Sequence, residues 1–294
     1  MLTLAAFFSV GRFVHIAALM QLFGILLFGE YFAPATLRPR LRALFARAVG
    51  ILVWWVFLTA ILIFLAQSGQ MGEGWGDVIR PAIWLAMLHT VFGSVWLWHG
   101  IIALAAVIIA AGPPQSAQWQ RGMLLAAAGL LITYSLTGHA AMSDGLRGVL
   151  QRGNQILHLF SAAWWVGSLA PLLCCLPLLR QADRPEAISA LIRFSRSAHV
   201  AVAVVILSGW LNVRLISGRW LPGFTNAYHW LLSVKVALVG VMVILAIVNR
   251  YRVVPAMARH HPRGVHYLAI LTAAELILGA VVLLIVSVFA TFEP

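Results

Sequence analysis

Two histidines, His139 and His158, flank a short polar stretch between long apolar runs in LTGHAAMSDGLRGVLQRGNQILHLF, residues 136–160. An imidazole beside so much apolar sequence is poorly hydrated, and it is costly to keep unless it is hydrogen-bonded or ligates something. Imidazole suits copper, the more so with a soft thioether close by, and a pair of imidazoles also suits haem iron. Met142 supplies such a thioether near His139.

Spacing gives these residues a facing. Asn154, His158, Ser161, Trp165 and Ser168 recur at intervals of 4-3-4-3, one polar stripe of a helix, and Ser135, His139 and Met142 do the same on the preceding run. Polar stripes on lipid-embedded helices turn to the bundle interior or a water-filled cavity. Counted from the loop between them, the two histidines are expected at matching depth and face to face. The competing expectation is that each imidazole hydrogen-bonds a neighbouring helix, an interaction of about 0.6 kcal/mol on average.

Further candidates lie in the other apolar runs. His15 sits near the middle of the first, as ligand or relay. His89 and His229 lie toward the same face as His139 and could join its site, although His229 in NAYHW also reads as interfacial. His99 in WLWHG is deeper, and His199 lies toward the opposite face. His260, His261 and His266 sit among arginines and read as solvated. Glu275 is the one acid well inside an apolar run, where a charge costs roughly 2.5 to 3.5 kcal/mol on insertion scales. The stripe Thr272, Glu275, Gly279 turns it inward, with Asn249 and Arg250 as possible partners. Cys174 and Cys175 are adjacent, so at most one faces a given site, and core packing is their expected role.

The elements that must position these groups follow from composition. Of 294 residues, 62% are hydrophobic and 10% charged, far below the roughly 25% charged residues of a soluble domain. The chain therefore reads as all-α and polytopic, in contact with the lipid bilayer. Eight runs approach the roughly 20 apolar residues that cross a hydrocarbon core, near 4–28, 43–66, 82–111, 123–142, 154–179, 198–217, 229–249 and 266–290. They form a single eight-helix transmembrane domain spanning 1–294. The formal charge of +12 comes from arginines gathered between apolar runs, mostly in the loops after the first, third, fifth and seventh. By the positive-inside rule those loops are cytoplasmic and both termini periplasmic. The same placement argues for topology and against nucleic acid as a partner. No phosphate-binding loop, nucleophile with its base or paired-carboxylate site is present, so neither a hydrolase nor an ATP-driven pump is expected.

The series RFVHIAALMQLFG, TGHAAM, QILHLFSAAWWVGSLAPLL, RFSRSAHVAV, NRYRVVP and AAELILGAVVLLIVSVFATFEP resembles the copper resistance protein D family of bacterial inner-membrane proteins, in order and spacing over essentially the whole chain. The resemblance implies copper handling at the cytoplasmic membrane, usually described as uptake alongside periplasmic copper-binding partners. The matching positions are His15, His139, His158, His199, Asn249, Arg250 and Glu275. The expected function is thus non-enzymatic copper import. Copper would be accepted at His139 and His158, with His15, Met142, His89 and His229 as further donors. Beyond them His199, Asn249, Arg250 and Glu275 would continue the path inward. Two alternatives stay open: a haem b electron carrier with His139 and His158 as axial ligands, and a receptor or scaffold for a periplasmic copper protein.

Overall fold

The computed structural model describes residues 3–138, 144–218, 220, 224, 226–255, 264–289 and 292, and no strand occurs among them. The α-helices among the described residues are, in order, α1 (Leu4–Leu27), α2 (Arg38–Met71), α3 (Pro81–Leu88), α4 (Val91–Ala110), α5 (Ala117–Ser135), α6 (Gly145–Gly167), α7 (Leu169–Cys175), α8 (Arg184–Ser217), α9 (Ala227–Val248) and α10 (Gly264–Phe289). Among the described residues seven helical stretches are long and apolar enough to cross a membrane. Helix α5 falls outside that set because Gln118, Gln120 and Arg121 crowd its first turns. Its 19 residues nevertheless extend about 28 Å, close to the thickness of a hydrocarbon core.

Several expected spans are interrupted or displaced. The third run breaks at His89–Thr90, between α3 and α4. There the Thr90 hydroxyl donates to Met87 O at 2.7 Å and accepts from Gly93 N at 3.0 Å, ending one helix and capping the next. A Cβ at Gly93 would lie 2.0 Å from Met87 O, so only glycine permits this turn. The fourth run ends at Ser135, short of the expected Met142, and Gly138 follows at φ +79°. The fifth begins at Gly145 and breaks at Ser168, where α6 gives way to α7.

Helix α1 is the centre of the bundle. It packs on α2 and α5 on one side and on α6, α7 and α10 on the other, while α4 lies against α2 and α5, α8 against α6, and α9 against α10. The crossing of α1 with α6 is made by two glycines. A Cβ on Gly24 would sit 2.0 Å from the Gly167 carbonyl carbon, and one on Gly167 would sit 2.1 Å from Met20 O. Such backbone contact is how membrane helices gain packing where lipid tails are as apolar as leucine. Leu19, Leu22, Phe28, Met123, Leu130 and Leu131 fill the core around it.

Candidate metal site

His15 of α1 and His99 of α4 meet inside the bundle, both fully buried, with their Nε2 atoms 3.0 Å apart. Their other ring nitrogens are held by threonines from two more helices. His15 Nδ1 lies 2.9 Å from Thr59 Oγ1 on α2, and His99 Nδ1 lies 2.7 Å from Thr133 Oγ1 on α5. Four helices thus contribute one residue each to a chain Thr59–His15–His99–Thr133.

The hydroxyls are set by their own helices. A threonine in an apolar helix satisfies its O–H on a carbonyl one turn back, and Thr59 donates to Trp55 O while Thr133 donates to Gly129 O at 3.0 Å. Each oxygen then has a lone pair left for the imidazole. Trp96 stacks on His99 at 4.5 Å between centroids and 10° between planes, and its Nε1 donates to Ala60 O at 2.9 Å. Tyr134 stacks on His15 at 5.6 Å and 17°. Among the described residues no cluster of three His, Cys, Asp or Glu occurs.

A cavity of about 250 Å³ lies toward the end of the bundle where α1 begins and α5 ends and reaches the aromatic rings beside this pair. Arg12, Gln67, Gln70 and Thr137 give it polar walls, and its floor is Trp96 and Tyr134, the two rings that stack on the histidines. Gly138 lines it too.

A second, larger cavity of about 890 Å³ lies in the other half, between α6–α7, α8, α9 and α10. His199, Asn249, Arg250 and Glu275 all line it. Glu275 is buried and accepts from Asn249 Nδ2 at 2.8 Å and from Trp165. Arg250 donates to Ser195 Oγ at 3.1 Å. His199 is exposed, its Nδ1 donating to Ser195 O at 2.7 Å. Asn249 opens a π-helical turn, Asn249–Val253, which widens the end of α9 and turns its side chain to Glu275.

The remaining expected residues divide as follows. His139 and Met142 lie outside the described residues. The expected pairing of His139 with His158 thus involves a residue outside the described ones, while His158 itself lies 13 positions into α6, about 20 Å along it, and not the expected single turn from the loop. His158 donates from Nδ1 to Ser208 Oγ of α8 at 3.0 Å, and Gly209 gives its ring room. His89 is exposed at the break between α3 and α4. His229 is buried at the start of α9, with Nδ1 2.7 Å from the capping Asn226 Oδ1. Cys175 is buried and Cys174 exposed.

His99, Thr59 and Thr133 were not singled out as a site by sequence reasoning. A usable signal existed: His15 is 11 residues into α1 and His99 is 8 into α4, two spans that enter from the same side. No pattern announces the threonines, since their role depends on which helices become neighbours. A porphyrin does not fit between His15 and His99, whose ring centroids are 4.9 Å apart with planes tilted by 50° and flanks closed by Trp96 and Tyr134.

Residues 1–149 match the family model described as copper resistance protein D-like, N-terminal domain, and residues 188–289 match the model described as copper resistance protein D. The chain is 39% identical to the inner membrane protein YebZ of Escherichia coli (strain K12), over 96% of this chain and 97% of that protein. It is 32% identical to copper resistance protein D of Pseudomonas syringae pv. tomato, over 96% and 95% of the two chains. With the copper transport protein CutJ of Bacillus subtilis (strain 168) it shares 32% identity over 63% of this chain and 35% of that protein. No solved structure matches it.

Proposed function

The chain belongs to the copper resistance protein D family, and from that premise we propose that it imports copper across the bacterial inner membrane, from periplasm to cytoplasm, as a carrier and not an enzyme. One observation carries the reading: a polar vestibule at one end of the bundle is floored by the same Trp96 and Tyr134 that enclose two facing imidazoles. An intramembrane pair of this kind gives a desolvated cation a resting place within an otherwise apolar core. Arginine placement supports a periplasmic vestibule, where a periplasmic copper-binding protein would deliver the ion.

His139 and Met142 would gather copper on that side, and His158, deeper along α6, would be a further donor on the way in. His15 and His99 would hold it within the bundle. His199, Asn249, Arg250 and Glu275, around the larger cavity at the arginine-rich end, would receive it before release. Without a nucleotide site, movement follows a gradient or a coupled ion. The haem reading, which named His139 and His158 as axial ligands, has no comparable support, and the His15–His99 pair offers no slot for a porphyrin. The test is copper accumulation in cells lacking the chromosomal protein and expressing this chain. Wild type should raise cell copper, and His99→Ala, inserted at the same level, should not. Equal accumulation by both would sink the import reading.

A further inference from the structure

The hydrogen bonds around His15 and His99 decide where their protons are. Thr59 and Thr133 each place Oγ1 within bonding distance of carbonyls of their own helix, Trp55 O and Val56 O for one, Gly129 O and Leu130 O for the other. A carbonyl only accepts, so each hydroxyl proton is committed there and each Oγ1 can only accept from the imidazole. Both rings therefore carry their proton on Nδ1. That leaves two Nε2 lone pairs pointed at each other at 3.0 Å, a repulsive contact unless a cation lies between them.

We propose that Thr59 and Thr133 are positioning residues that fix both imidazoles as Nδ1–H tautomers, making His15 and His99 a two-coordinate site for a monovalent soft cation, Cu(I). This deepens the copper reading above and rests on it for the identity of the cargo. Three features select the charge and the coordination number. Only two nitrogen donors converge, whereas zinc takes four ligands. The site is buried and aromatic, and the self-energy of a buried ion grows with the square of its charge, so a dication is penalised about fourfold over a monocation. Arg12 borders the vestibule, and its repulsion of an arriving ion is halved when the ion carries one charge rather than two.

Loading requires a small movement. A metal–nitrogen bond of about 2.0 Å, the value for zinc, puts the two nitrogens about 4 Å apart, so the imidazoles must part by roughly 1 Å. Each ring can swing about its threonine anchor to do so. No redox step is involved, because copper enters and leaves as Cu(I).

The test uses the purified full chain in nanodiscs, titrated anaerobically with Cu(I) against a chromophoric Cu(I) chelator, with Zn(II) and Cu(II) as comparison ions. One Cu(I) should bind at the pair, with an X-ray absorption spectrum of a two-nitrogen, linear ion, and neither dication should compete for it. Thr59→Val and Thr133→Val, which cannot accept from Nδ1–H, should each weaken Cu(I) binding about 10- to 100-fold, the usual effect of losing an outer-shell partner. Thr59→Ser and Thr133→Ser should restore it, separating the hydrogen bond from a packing defect. A wild-type spectrum with three or more ligands, or valine variants that bind like wild type, would overturn the assignment while leaving import intact. Cu(I) bound as described but no accumulation in cells would instead overturn import and leave this site standing. A pair that takes up no Cu(I) would likewise overturn the inference.

Discussion

Replacing Gly167 by alanine should damage both the fold and the imidazole pair. The added Cβ would fall 2.1 Å from Met20 O, 3.0 Å from Met20 C and 3.1 Å from Gly24 Cα. Even a C–H···O contact rests at about 3.3 Å or more, so the α1–α6 axes must separate by about 1.2 Å at the crossing. The obstacle is backbone on both sides, and no side chain can rotate away. Overpacking of this kind costs about 1–3 kcal/mol, and the upper end applies where nothing yields. Since α1 also carries His15, nine residues before Gly24 and so about 13 Å along the helix, its displacement should shift His15 against His99 on α4 and weaken metal binding. The same substitution at Gly153, on the same helix but with nothing near its Cβ position, should instead stabilise by up to about 1 kcal/mol through helix propensity. Thermal unfolding in one detergent, followed by intrinsic tryptophan fluorescence, would compare the two. If Gly167→Ala melts at or above the wild-type midpoint, the α1–α6 backbone contact is not as described.

Glu275→Leu would leave Asn249 Nδ2 and the Trp165 indole without their buried acceptor, at about 1–3 kcal/mol per lost partner. Glu275→Gln, which keeps an acceptor, should melt closer to wild type in the same assay. In the loop between α2 and α3, the Glu73 backbone N–H at 2.6 Å and the Arg80 guanidinium at 2.7 Å hold the Asp77 carboxyl below the usual carboxylate range. The resulting order is present at pH values above the ordinary carboxylate pKa and is lost as the pH falls through the lowered folded value. Protease cleavage within residues 72–80 should therefore rise on acidification in wild type, whereas Asp77→Asn should be cleaved similarly at neutral and acidic pH. Reporters fused after Arg42 or Arg259 should read cytoplasmic and those after Glu73 or Gly148 periplasmic, and a reversed pattern would put the vestibule on the wrong side for import.

The sequence by itself determined the class of molecule. Apolar runs of membrane length, too few charges for a soluble surface and arginines gathered in alternate linkers are local properties, because each helix must satisfy the bilayer on its own. Family membership was equally legible, since motif order along the chain needs no contacts. Helix ends were less so. Ser135 ends α5 and Thr90 divides α3 from α4 because of particular back-bonds and glycine turns that outweigh continuous hydropathy. Reading depth from apolar runs therefore placed His158 too shallow, because α6 starts nine positions before the expected Asn154, about 13 Å of helix. Glu275 with Asn249 was within reach because an intramembrane acid must find a donor, and one stood at a suitable depth.

The pairing of His15 with His99 was decided by tertiary structure alone. Which helices become neighbours depends on where two backbones can touch, and here Gly24 and Gly167 set the place of α1 against α6 while α2, α4 and α5 close around its other face. Only then do Thr59 and Thr133, unremarkable hydroxyls in apolar helices, come within hydrogen-bond distance of the two rings. A lone pair has a direction, and periodicity along one helix says which face a nitrogen occupies but never what stands opposite it.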